Sequence, residues 1–325
     1  MYYESYEKPK RRRRKRRSFG AWLTGSLLKL IATILILAIL AASALYAVPV
    51  SFFQIEPDGN DLSLTDGLPG SRINILLLGT DILNHDSQRS DAMIIATIGY
   101  KTLKLTSILR DTIVDIPGHG SGKLNSAYAY GGPELVMKTL NSNFKLNIMH
   151  YIAVDFVSLV KIVDAIGGVD IDITEAEMQH INKNVYSARK VFKPLGYTAT
   201  ELTEYGEGTH LNGMRALGYA RIRKLDSDFM RTSRQRILLK SMLQKIRENI
   251  WNPLMLYNLG EALLDSLNTN MSIVHLISLG EKALLAEDIK QMRLPVDNAY
   301  YDNGSTLAIT DMQANIKAFF NFAYE

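Results

Sequence analysis

The chain has 325 residues, 47% of them hydrophobic and none of them cysteine, and a formal net charge of +4. Zero cysteines exclude a disulfide framework, a thiolate nucleophile and thiolate zinc sites together. The positive charge is local: nine Lys and Arg between Lys8 and Arg17 stand against Glu4 and Glu7, a balance of +7 before Ala21, so residues 21–325 carry −3.

Residues 1–20 therefore read as a basic tail. After them an apolar run from Leu30 to Val48, preceded by Trp22, Leu23, Leu27 and Leu28, is long enough to span a bilayer, which needs roughly 20 apolar residues in a helix. Positive charge stays on the cytoplasmic side, so the tail is expected inside, residues 21–48 as a single transmembrane anchor, and everything beyond outside. Two rivals exist. The small residues around Ala42-Ser43-Ala44 suit a signal peptidase, but the apolar run exceeds the roughly 7–15 residue core of cleaved signals. The arginine run could grip nucleic acid, but beside a membrane helix a topogenic or anionic-lipid role fits better, and no nucleic-acid partner is expected.

Residues 49–72, rich in Asp, Gly, Ser and Pro, read as a linker, and residues 73–325 as one extracytoplasmic domain. Short apolar runs at 73–78, 92–98, 105–109, 151–154 and 169–173 predict strands, several of them covered on both faces. Helical patterns alternate with them. Pro133 opens one toward Leu146; Asp155 caps a second that Gly167-Gly168 stops; Asn212 caps a third; a long one starts near Asp228. Three more amphipathic stretches follow around 256–267, 273–284 and 312–320, whereas residues 175–207 show no clean period and read as an excursion, a lid or a hairpin. The alternation predicts a three-layer α-β-α domain with a central mixed sheet, preceded by the one N-terminal transmembrane helix.

Three polar clusters follow apolar runs, where α/β folds place their crevices. Gly79-Thr80-Asp81 and Arg89-Ser90-Asp91 bracket a loop; two carboxylates there suit Mg²⁺, although the same spacing also describes a capped turn with surface ion pairs. Arg110-Asp111-Thr112, with Lys123 and Asn125 a loop later, could grip phosphate or simply pair internally. The densest cluster holds Arg221, Arg223, Lys224, Asp226, Asp228, Arg231, Arg234, Gln235 and Arg236. A local arginine excess in an otherwise acidic domain points to a polyanionic ligand, and the carboxylates and arginines together describe a pyrophosphate site. There is no Gly-x-x-x-x-Gly-Lys loop, no His pair at metal spacing and no Gly-x-Ser-x-Gly elbow.

In order, the motifs Ile75-Leu76-Leu77-Leu78-Gly79-Thr80-Asp81, Arg89-Ser90-Asp91, Ser107-Ile108-Leu109-Arg110-Asp111-Thr112, Lys123-Leu124-Asn125-Ser126-Ala127-Tyr128, Ala220-Arg221-Ile222-Arg223 and Asp228-Phe229-Met230-Arg231 with Arg234-Gln235 resemble the LytR-CpsA-Psr family of bacterial wall-polymer ligases. The resemblance covers the anchor and residues 73 to about 239. It implies a phosphotransferase that moves an anionic glycopolymer, of teichoic acid or capsule type, from a polyprenyl-pyrophosphate carrier onto peptidoglycan at the cell membrane. It implies Asp81 and Asp91 as ligands of Mg²⁺, with Mn²⁺ as the substitute ion, and Arg89, Arg110, Lys123, Arg221, Arg223, Arg231 and Gln235 on the pyrophosphate. Asp91 or Asp111 would take the proton of the attacking sugar hydroxyl, beside Arg110. An apolar pocket between sheet and helices would hold the lipid tail. Met230 and Leu109 stand where the family often has Gly and Pro, and the loop 82–88 lacks an early basic residue; these bear on loop geometry and polymer choice. A pyrophosphatase handing the polymer to water, and a non-catalytic envelope regulator, remain the alternatives.

Overall fold

A computed structural model describes residues 61–81, 89–198, 200–223, 225 and 227–325. The expected tail and anchor lie outside the described residues, among which no helix is long and apolar enough to cross a membrane.

Six strands form the main sheet in the order β10-β3-β2-β1-β6-β9. These are β1 (Ile73–Thr80), β2 (Ser90–Gly99), β3 (Thr102–Ile108), β6 (His150–Asp155), β9 (Asn268–Thr269) and β10 (Asp288–Leu294). Pairs β1–β2, β2–β3 and β6–β9 are antiparallel, while β1–β6 and β3–β10 are parallel, so the sheet is mixed as expected. Alternation along β1 sends Leu76 and Leu78 to one face and Ile73 and Ile75 to the other. The first face packs on α1 (Leu124–Phe144) and α8 (Met312–Tyr324) through Val136, Leu140, Phe144 and Phe319. The second packs on α5 (Asp228–Glu248) and α7 (Ile273–Leu284) through Leu239, Leu243 and Leu279.

A second core gathers α2 (Phe156–Ala165), α3 (Glu175–Phe192), α4 (Gly213–Ala220), part of α6 (Pro253–Ser266) and the ribbon of β7 (Val169–Ile173) with β8 (Gly206–Leu211). A four-stranded sheet, in the order β11-β12-β4-β5, flanks the main one and holds β4 (Thr112–Ile116), β5 (Gly120–Lys123), β11 (Tyr300–Asp302) and β12 (Leu307–Ile309).

The caps sit where the sequence puts them. Asp155 accepts from the Ser158 N–H at 2.7 Å and Asn212 from the Arg215 N–H at 3.0 Å. Pro133 bars the preceding residue from the helical region, so α1 kinks at Gly131 and Gly132, the latter at φ +62°. Residues 175–192 are a helix, not a lid or hairpin. A capping box between Thr174 and Glu177 starts it, and Ile181, Val185, Ala188 and Phe192 recur at helical spacing as its buried face. The strand expected at 169–173 forms, but in the separate ribbon and not in the main sheet. Packing also starts upstream of Ile73: Leu62 is buried in the core and the Thr65 N–H donates to Leu146 O at 3.0 Å.

Helices α2 and α4 come close at Gly213, whose N–H donates to Asp164 Oδ1 at 2.7 Å. A Cβ there would lie 2.3 Å from the carbonyl oxygen of Val160. Gly213→Ala is therefore expected to destabilise the protein by about 2–3 kcal/mol in chemical denaturation. Gly260→Ala, in α6 with open space around it, should instead be neutral or add up to about 1 kcal/mol.

Candidate functional site

The upper end of the sheet, where β1, β3 and β6 finish, gathers most of the polar residues singled out from the sequence. Gly79 pairs with Ala92 and Thr80 with Ser90, which leaves Asp91 as the extra residue of a bulge. A bulge bends its strand and re-aims a side chain. The Asp81 N–H meets Arg89 O at 3.4 Å across the same two strands, so Asp81 and Asp91 stand on neighbouring strand ends.

Asp91 bridges two arginines. Its Oδ1 accepts from Arg110 Nη1 and its Oδ2 from Arg223 Nη2, each at 2.5 Å. Burial alone would raise the Asp91 carboxyl, but the charges of Arg223 and Arg110 outweigh it and hold the group below its usual range. Burial likewise opposes the charge on Arg110, which Asp91 and Asp111 more than restore. Arg110 Nε also donates to Asp111 at 3.1 Å, and Lys123 Nζ donates to Asp111 at 2.9 Å and to Ser305 O at 2.8 Å. One chain of alternating charge thus joins the start of β2 and the segments after β3 and α4 to the end of β5.

Arg221 caps the end of α4, stacks over the Phe156 ring with 4.7 Å between guanidinium and centroid, and feels the charge of Asp81; burial lowers its pKa. Arg231, in the first turn of α5, is 2% exposed. Its Nη2 donates to Asp228 at 2.8 Å, while Nε and Nη1 have no hydrogen-bond partner among the described residues. Burial first, then the charges of Arg110 and Arg223, bring its pKa down to about 10 against the pull of Asp228. Gln235, one turn on, has a buried Oε1 equally without a partner. A buried cation with two unused donors is the signature of a site shaped for an anion.

Two members of the arginine run go elsewhere. Arg234 donates to Glu177 at 2.8 Å, and Arg236 donates to Ser107 at 2.6 Å and Gln291 at 3.2 Å, tying α5 to α3 and to the sheet. Arg89 is exposed at the end of its loop, and residues 82–88, Lys224 and Asp226 lie outside the described residues. Sequence reasoning passed over Asp228 as an orienting partner of Arg231, although their i,i+3 spacing was the signal. It also passed over Phe156, which carries no polar signal at all.

Asp81 and Asp91 provide oxygen donors in the kind and number that Mg²⁺ takes from protein when phosphate and water complete its octahedron. The residues present fit that ion, with one condition: both Asp91 oxygens already receive guanidinium N–H groups.

The LytR_cpsA_psr family model matches residues 56–319. Regulatory protein MsrR of Staphylococcus aureus strain COL is 33% identical over 251 residues, covering 73% of this chain and 70% of the relative. The polyisoprenyl-teichoic acid–peptidoglycan teichoic acid transferase TagT of Bacillus subtilis strain 168 is 30% identical over 261 residues, covering 74% of each. Among solved structures, TagT bound to LIIa-WTA superposes with a TM-score of 0.60 at 25% identity, over 82% of this chain and 94% of that one. TagT with bound octaprenyl pyrophosphate lipid superposes at 0.56 and 24% identity, over 82% and 93%, a likeness of fold.

The depressed Asp91 carboxyl fixes the sign of a pH effect. A lowered folded pKa adds stability that is complete above the unfolded value of about 3.9 and is lost as pH falls through the folded one. Asp91→Asn should therefore cost about 2 kcal/mol at neutral pH, mostly through Arg110 because Arg223 is half exposed. The difference from wild type should shrink in denaturation as pH falls through the folded carboxyl's lowered range.

Proposed function

The chain belongs to the LytR_cpsA_psr family, and on that premise we propose that it is a membrane-anchored phosphotransferase joining an anionic glycopolymer to peptidoglycan. The donor is the polymer on a polyprenyl-pyrophosphate carrier, and the domain stands outside the membrane while residues 1–20 stay inside. The observation that carries this reading is Arg231, buried with two unused donors beside the Asp91-bridged pair of Arg110 and Arg223.

In this reading the pyrophosphate enters the cluster and takes donors from Arg110, Arg221, Arg223 and Arg231, with Gln235, Lys123 and Arg89 at its edges. An acceptor sugar hydroxyl attacks the phosphorus nearer the polymer, the bond to the bridging oxygen breaks, and polyprenyl phosphate leaves. Such a transfer asks for alignment and charge neutralisation, which fixed guanidinium groups supply. As Arg110 and Arg223 turn to the phosphates, Asp91 oxygens come free, so that Asp81 and Asp91 can hold Mg²⁺. When bound, that ion would neutralise charge on the phosphoryl oxygens. Phe156, stacked against Arg221, would begin the surface for the lipid tail, and half-buried residues on the same core, among them Val154, Ile237 and Met242, are apolar enough to continue it.

The test uses the full chain in vesicles with a polyprenyl-pyrophosphate-linked saccharide and peptidoglycan oligomers. Joined product is expected, abolished by EDTA, and reduced by roughly 10²–10³-fold in Arg110→Ala and in Asp91→Ala, the scale of losing one transition-state donor. Free saccharide phosphate without joined product would indicate a pyrophosphatase, and lipid binding with neither product a regulatory protein.

A further inference from the structure

Opposite the arginine cluster, the lower end of the sheet carries apolar surface that nothing among the described residues covers. Helix α7 crosses this end. His275 lies against His150 at the start of β6, with ring centroids 6.1 Å apart. Past the helix's other end the Glu287 N–H donates to Lys101 O at 2.9 Å, at the start of β3. From β6 to β3 is three strand spacings, about 14 Å, and twelve helical residues reach about 18 Å, so α7 lies crosswise to the strands. Its inner side buries Ser278, Leu279 and Lys282, while Ile273, Val274 and Ile277 form an exposed stripe and Leu285 continues it. Arg247 donates to Ala283 O and Ala286 O, which brings the end of α5 here, with Trp251 four residues on and 81% exposed. Tyr100, 77% exposed in the turn between β2 and β3, stands next to Lys101 on the same rim.

We propose that this lower end is a membrane-docking surface, with α7 lying in the headgroup region of a phospholipid bilayer and Trp251 and Tyr100 at its edge. Aliphatic side chains on one side of a helix, rimmed by Trp and Tyr, are the composition of segments that lie in a membrane interface. Nearby Lys101 is paired with Glu287 at 2.5 Å, so that lysine's charge on the rim is already matched. The polypeptide also enters the domain at this end. Asp61 pairs with Lys138 of α1, Thr65 bonds Leu146, and β1 starts at Ile73. The apolar run ending at Val48 lies thirteen residues before Asp61, a reach of at most about 45 Å. That last step rests on the anchor reading; the exposed stripe does not. Docking this way stands the arginine cluster roughly the length of β1, about 26 Å, from the bilayer, so a carrier whose pyrophosphate reaches it draws part of its polyprenyl tail out of the membrane along the protein.

The chain contains two tryptophans, Trp22 and Trp251, so Trp22→Phe leaves Trp251 as sole reporter. The full-length variant is reconstituted in phosphatidylglycerol–phosphatidylethanolamine vesicles, with and without lipids brominated along the acyl chain. Docking predicts blue-shifted emission and loss of about half of it in brominated lipid, since interfacial helices sit roughly 5–10 Å deep. Adding Ile273→Asp and Ile277→Asp, both at exposed positions, should shift the emission back to the red and remove the quenching while transfer activity persists. Emission typical of exposed indole in a chain that still sediments with vesicles would overturn docking and keep the anchor. No sedimentation would overturn both. A blue shift that grows with protein density yet resists brominated lipid would overturn docking in favour of a second copy of the chain.

Discussion

The upper end of the sheet depends on a single carboxylate holding two cations. Arg110 follows β3 and Arg223 follows α4, segments with no reason of their own to converge, since two cations about 5 Å apart repel by about 3 kcal/mol at an effective dielectric of 20. Asp91 makes the approach favourable because each of its oxygens takes one guanidinium. It can do so because it is the extra residue of a bulge and escapes the alternation that governs the rest of β2. The antiparallel pairing of β1 with β2 therefore decides more than the sheet. It decides that Asp81 and Asp91 stand together and where the arginines gather.

Arg231 shows the opposite side of the same electrostatics. A guanidinium 2% exposed, with Asp228 accepting from one nitrogen and two others unpartnered among the described residues, is an unfavourable thing to bury. Its pKa of about 10 records that cost, yet at neutral pH the group stays charged. The surroundings hold it in place: α5 is fastened through Arg234 to Glu177 and through Arg236 to Ser107. Neighbouring arginines in one run thus divide between fastening the helix and being held by it. An anion that used the free donors of Arg231 would return stability to the fold in proportion to its affinity.

That division explains what the sequence could disclose and what it could not. At about 100° per residue, Arg231 and Gln235 fall about 40° apart and Arg234 only about 60° from Arg231, while Arg236 lies about 100° or more from both. The spacing set Arg236 apart, but only the packing of α3 shows that Arg234 turns to Glu177 and away from the cluster. Caps at Asp155 and Asn212 were legible because an Asx side chain before an apolar stripe has one local use. Strand β10, Asp-Ile-Lys-Gln-Met-Arg-Leu, was not legible, since alternating charges on a peripheral strand resemble a loop. Helix α3 escaped for a related reason: only four buried positions are spread over eighteen residues, and polar side chains fill the rest.

The geometry also narrows how a hydroxyl could be activated. A general base works best with a pKa near the working pH and a lone pair free to receive the proton. Asp91 meets neither condition, being held below the ordinary carboxylate range with both oxygens engaged by arginine. Asp111, the other carboxylate read as a base, accepts from Arg110 on one oxygen and from Lys123 on the other. Both act here as holders of cations. If the arginines shift onto a pyrophosphate, each carboxylate regains an oxygen only as negative charge arrives beside it, the moment at which proton uptake becomes easier. In the proposed reaction the base would be made by the substrate's own binding, and the resting protein keeps its carboxylates neutralised by the groups that would then grip the phosphates.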